Sequence, residues 1–128
     1  MLLRRFDPTA MKRAVARLPE YPAVLVPATG GFEVIFPNLA KVTAYGVLRD
    51  QALDAGREML TAHLQIMLEQ GDQPPRPSDP ARLIPDEDEM PGTELVLIAP
   101  DRTAILRRLG LERPEPNRAL ASLGRLGR

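Results

Sequence analysis

YPAVLVPATGGFEVIFPNLAKVTAYGVLRDQALDAGREMLTAHLQIMLEQGDQPPRPS, residues 21–78, decides the fold. Its first seven residues alternate as a strand, with Val24 and Val26 on one face and Ala23 and Leu25 on the other. Both faces are apolar, so both are predicted to be covered. Ala28-Thr29-Gly30-Gly31 reads as a hairpin turn, with glycine where a positive φ is needed. Residues 32–36 form a second strand, with Phe32, Val34 and Phe36 pointing one way and Glu33 and Ile35 the other. Pro37-Asn38 ends it, and residues 41–45 make a short third strand that stops at Gly46.

A long helix then runs from about residue 49 to 70. At 100° per residue, Ala52, Leu53, Gly56, Met59, Leu60, His63, Leu64 and Met67 form one apolar stripe. Asp50, Asp54, Glu58, Thr61, Gln65 and Glu69 fall opposite. Glycine inside a helix costs about 1 kcal/mol against alanine. Gly56 therefore predicts close packing, by a strand, at the centre of the stripe. Gly71 is placed to stop the helix.

The flanks are simpler. Residues 1–20 read as a short amphipathic arm: Asp7 caps it, Pro8 takes the first helical position, and Pro19 stops it. Met11, Ala14, Val15 and Leu18 share one face and Lys12, Arg13 and Arg17 the other, as in a packed or a phosphate-touching helix. Residues 72–93 form a connector, with five prolines between Pro74 and Pro85 and then the acidic run Asp86-Glu87-Asp88-Glu89. A loop of this length is expected to be mobile in part or held by a partner. ELVLIA, residues 94–99, is a fourth strand. Asp101 caps a helix over 102–109, and 117–126 is a further short helix. The chain thus divides into an arm (1–20), an α+β domain (21–100) and a basic helical tail (101–128).

A chain of 128 residues without Trp or Cys builds one aliphatic core, without disulfides or thiolate chemistry. No apolar run reaches the roughly 20 residues of a membrane span, and no secretory signal is visible, so a cytoplasmic protein without membrane contact is expected. Net charge is zero but unevenly spread: +3 over residues 1–20, −7 over 21–100 and +4 over 101–128. An acidic body with basic ends suits a basic partner for the body and a polyanion for an end.

Catalytic groupings are missing. The acidic residues lie on a solvated helix face or in a loop and form no convergent pair. His63, the only histidine, falls within the apolar stripe and has no cysteine or second histidine to share a metal. Gly30-Gly31 precedes a strand and lacks the Lys-Ser/Thr pair of a phosphate loop. We therefore expect no enzyme activity, no metal and no cofactor.

Gly30-Gly31-Phe32, then Phe36-Pro37-Asn38-Leu39, then Thr43 and Gly46, then Ala52, Leu53 and Ala55, then Gly71 with Pro75, Pro77 and Ser78, form an ordered series. In this series residues 21–99 resemble the HicB family of antitoxins. The resemblance implies a ββ-β-α-β fold, a partial ribonuclease H-like sheet with one long helix and no retained activity; here short helical extensions flank it at both ends. It also implies neutralisation of a small basic mRNA-cleaving toxin of the HicA type, and contact with operator DNA. Asp50, Asp54 and Glu58 are then candidates for toxin binding, and Arg102, Arg107, Arg108 and Arg118 for DNA. A free sheet edge predicts a homo-oligomer. The alternatives are a solitary DNA-binding regulator and a self-associating module without a toxin.

Three features depart from the family pattern. Residues 1–20 precede its usual first strand. The tail after Pro100 is short for a helix-turn-helix. Gly46-Val47-Leu48 replaces Gly-Asp-Thr ahead of the helix, with Gln51 in the Glu position; loss of a side-chain cap costs about 0.5–2 kcal/mol.

Overall fold

The computed structural model describes residues 7–40, 42–83 and 91–112. Strands β1 (Tyr21–Ala28) and β2 (Gly31–Ile35) form the expected antiparallel hairpin, with Val24 opposite Ile35 and Ala28 opposite Gly31. Gly30 carries the turn at φ +77°, a conformation that L side chains rarely adopt. Strand β3 (Thr43–Gly46) joins β2, and β4 (Glu94–Ile98) joins β1. The sheet order is β3-β2-β1-β4, antiparallel throughout. Helix α1 (Pro8–Ala16) precedes the sheet, α2 (Arg49–Glu69) lies between β3 and β4, and α3 (Arg102–Arg108) follows. The α+β order read from the sequence, with its long helix and two short extensions, is the observed one.

Helix α2 packs on the sheet face that carries Ala23, Leu25, Val34 and Phe36, all buried. Gly56 meets that face: a Cβ there would lie 3.0 Å from Val34 Cγ1 and 3.6 Å from Ile98 Cδ1. The helix-centre glycine thus lets helix and sheet approach by about the width of a methyl group. A second close approach sets the start of the helix. A Cβ on Gly46 would fall 2.3 Å from the Ala52 amide nitrogen, so β3 touches the first turn of α2 backbone to backbone. That contact does part of the work of the missing cap. Leu48 is 60% exposed, its side chain caps nothing, and only Gln51 Oε1 reaches back, accepting from the Leu48 N–H at 3.3 Å.

Two expectations require correction. The Val24 and Val26 face of β1 is half-buried among the described residues, not covered, because all the helices contribute to the other side. The buried stripe of α2 is also rotated from the one read on the wheel. Met59 is 46% exposed, whereas Thr61, placed on the solvent side, is buried. Its hydroxyl donates to the Arg57 carbonyl (2.7 Å) and accepts from the Asp101 N–H (3.0 Å). The turn leading into α3 packs on this side of α2, which is why the stripe widens there.

Val15 and Leu18 of the N-terminal arm and Ile105 of α3 belong to the same buried cluster as Tyr21, Leu60 and Leu64. The exit from α2 turns at Gly71 (φ +77°) and is then tied down twice. Tyr21 donates its hydroxyl to the Pro75 carbonyl at 2.6 Å. Asn38 and Ser78 exchange two hydrogen bonds, Nδ2 to Oγ at 2.6 Å and Ser78 N–H to Oδ1 at 3.1 Å. The first part of the connector is thus strapped to the sheet. The acidic run at 86–89 and the helix expected at 117–126 lie outside the described residues.

Candidate protein-binding surface

Asp50, Asp54 and Glu58 stand one turn apart, about 6 Å of rise per step, along the exposed face of α2. Among the described residues Asp54 and Glu58 have no ion-pair partner, while Asp50 lies 4.0 Å from Arg49 Nη1. The Arg49 guanidinium is turned mainly towards Glu94 at the start of β4, with Nε donating to Oε1 at 3.2 Å and Nη2 to Oε2. This hydrogen bond holds the Glu94 carboxyl below the usual carboxylate range and raises Arg49 above its own. The next arginine along, Arg57, reaches over to the end of β4, where its Nε donates to the Ala99 carbonyl at 3.1 Å.

Between these two arginines a groove of about 460 Å³ runs along the outer margin of β4. Leu53, Val96 and Ile98 supply its apolar walls, and Glu20, Asp54 and Arg57 its rim. Glu20, like Asp54, is exposed and has no ion-pair partner among the described residues. The sequence shows the acids and the apolar strand; it does not show that the fold sets them side by side.

Beside the groove, β4 presents a free backbone edge. The Phe36 N–H donates to the Val42 carbonyl at 3.3 Å, so even-numbered residues at this end of β2 face β3. Hydrogen-bonding direction alternates along an antiparallel ladder. The odd residues of β2 therefore face β1, and through the register the odd residues of β1 face β4. This places Pro22 and Pro27 where their missing N–H groups break no ladder bond: Pro22 points past the end of β2 and Pro27 past the start of β4. It also means that Leu95 and Leu97 direct their N–H and C=O groups away from the sheet. Leu97 is 53% exposed, and Leu95 is half-buried.

The basic candidates fall elsewhere. Arg102 is half-buried and donates to the Leu18 carbonyl, fastening α3 to the end of the N-terminal arm. Arg107 and Arg108 are exposed in the last turn of α3, with Arg107 Nε 3.8 Å from Glu112. Arg118 lies outside the described residues. A wider groove of about 1000 Å³ separates α1 from the proline-rich exit, between Met11, Ala14, Leu68 and Pro75. Among the described residues no group of His, Cys, Asp or Glu side chains is placed to hold a metal, and no helix is long and apolar enough to cross a membrane.

No family profile and no curated protein matches the chain. Solved structures do. A chain of the HicA3 and HicB3 toxin–antitoxin complex is 25% identical, with 64% of this chain and 98% of that one covered at a TM-score of 0.53. The N-terminal domain of Burkholderia pseudomallei antitoxin HicB is 23% identical over the same shares, also at 0.53. A chain of a toxin–antitoxin complex from Streptococcus pneumoniae is 22% identical, with 76% and 75% covered at a TM-score of 0.60. The chain has the fold of the HicB antitoxins.

Proposed function

We propose that this chain is an antitoxin of the HicB type, which binds a small basic mRNA-cleaving toxin of the HicA type and holds it inactive. The observation that carries the reading is the shared fold, which extends over nearly the whole N-terminal domain of a HicB antitoxin. The charge distribution supports it independently, since the acidic body suits a basic partner. In this reading Asp54, which lines the β4 groove, and Asp50 and Glu58, one turn to either side of it on α2, steer the toxin onto this part of the surface. Such charges act mainly on the association rate and on the choice of partner. Operator contact falls to Arg107 and Arg108, with Arg118; Arg102 is engaged with Leu18.

The test is co-expression with the neighbouring reading frame, followed by size analysis of whatever co-purifies. A small basic protein that arrests growth alone, and not beside this chain, is the expected result. Absence of any such partner overturns the reading. Mobility shift of upstream DNA by the full chain and by its Arg107→Ala, Arg108→Ala, Arg118→Ala variant, which leaves the buried Ile105 in place, tests the operator part: equal binding by both forms overturns it.

A further inference from the structure

We propose that the outer edge of β4 is the docking site for an extended segment of the basic partner, which adds to the sheet as a fifth strand. This rests on the reading above that the partner is a basic protein. Three observations meet at this edge. Leu95 and Leu97 present unused backbone donors and acceptors, in the alternation that another strand requires. The edge also lacks the usual guards. Natural edges carry lysine, proline or a bulge against unwanted pairing. Here the run Leu95-Val96-Leu97-Ile98 has none, and the one charge in the strand, Glu94, is engaged by Arg49. Finally, the groove beneath the edge receives side chains from only one face of an added strand: apolar ones against Leu53, Val96 and Ile98, and a Lys or Arg between Glu20 and Asp54.

Charge decides between a basic partner and a second copy of this chain. Pairing two β4 strands about a two-fold axis would turn Glu20 and Asp54 of one copy towards those of the other, while Arg57, the one cation of the rim, is held on the Ala99 carbonyl of its own chain. Like charges brought together in this way oppose the contact. A basic strand meets carboxylates that have no partner among the described residues. Arg57 marks the end of the site: by satisfying the Ala99 carbonyl it closes the edge beyond Leu97.

Leu97→Pro tests the idea with little cost to the fold. The N–H it removes points outward and is unused in the sheet, and extended backbone before a proline is favoured. Thr43→Pro makes the same change on the opposite edge, where the same alternation turns the Thr43 N–H away from β2. The full-length variants are measured against the co-expressed basic protein by calorimetry and stopped-flow mixing. Leu97→Pro is expected to melt within about 5 °C of the parent chain. It is expected to weaken the complex about a hundredfold, while Thr43→Pro leaves affinity unchanged. Reversing both rim charges (Glu20→Lys with Asp54→Lys) is expected to slow association about tenfold and flatten its salt dependence.

Parent-like affinity of a folded Leu97→Pro chain overturns the proposal and leaves the antitoxin reading intact. So does weakening by Thr43→Pro alone. A partner-free dimer that Leu97→Pro converts to monomer, with toxin affinity unchanged, assigns the edge to a second copy and also overturns it. Should Leu97→Pro fail to fold, the charge reversal decides, and an unchanged association rate is then fatal. If the parent chain forms no complex at all, the antitoxin reading fails, and this proposal with it.

Discussion

Gly56 is disfavoured by its own helix and required by the sheet. Replacement by alanine would ordinarily gain about 1 kcal/mol of helix propensity. Here the new methyl group lies 3.0 Å from Val34 Cγ1, and Val34 is fully buried. Overpacking costs about 1–3 kcal/mol, so Gly56→Ala is expected to lower the urea-unfolding free energy by about 1 kcal/mol net. In a Val34→Ala background the same change is expected to stabilise. Gly46→Ala is more severe, because the obstacle is the Ala52 backbone, which cannot rotate away. A loss of at least about 3 kcal/mol is expected. Gly56 was legible in the sequence because a glycine in an apolar stripe stands out. Tyr21 was not, since the acceptor of its hydroxyl lies 54 residues on, in the proline-rich exit. Burial raises the Tyr21 pKa above 10.0, so the folded chain holds its proton more tightly than the unfolded one. The sign follows: its contribution is complete below pH 10 and is lost as pH rises through the folded value. Tyr21→Phe is expected to lower stability by about 1 kcal/mol at neutral pH and to remove this alkaline slope, as followed by denaturation from pH 8 to 12.

Element by element, the periodicity of α2 and the hairpin was readable because each repeats one pattern along one stretch. What periodicity could not supply was the direction from which α3 approaches. That direction puts Thr61 in the core, where it accepts from the Asp101 N–H while the Asp101 carboxylate caps α3 at Ala104 (3.0 Å). Thr61→Val keeps the shape and removes the acceptor. It is expected to cost about 1–3 kcal/mol, with Thr61→Ser retaining most of the stability. The Arg49–Glu94 pair links the start of α2 to the start of β4 and was equally invisible, because its members are 45 residues apart. With the Glu94 pKa lowered, the pair stabilises the fold at neutral pH, and the effect is lost as pH falls through the folded value. Because both groups are exposed, the effect is small. Arg49→Met is expected to flatten the acid limb of thermal stability between pH 5 and pH 2, on the order of the unperturbed carboxylate range.

Seen as a whole molecule, the scattered motif residues turn out to be neighbours. Gly31 meets the Gly46 carbonyl, Gly46 meets Ala52, and Asn38 clasps Ser78. A series that looks like punctuation along the chain is a set of contacts between segments. The division into arm, domain and tail, drawn from changes of composition, passes over a core to which all three contribute. Asn38→Ala is expected to cost about 1 kcal/mol and to open the exit segment to limited proteolysis before the sheet unfolds. The strand order has a further consequence for synthesis. β1 occupies the middle of the sheet, yet one of its two neighbours is encoded after α2 and the whole connector. On the ribosome the hairpin and helix can assemble while one flank of that central strand waits bare for Glu94–Ile98 to emerge. A nascent chain stalled before residue 94 would be the form most in need of a chaperone.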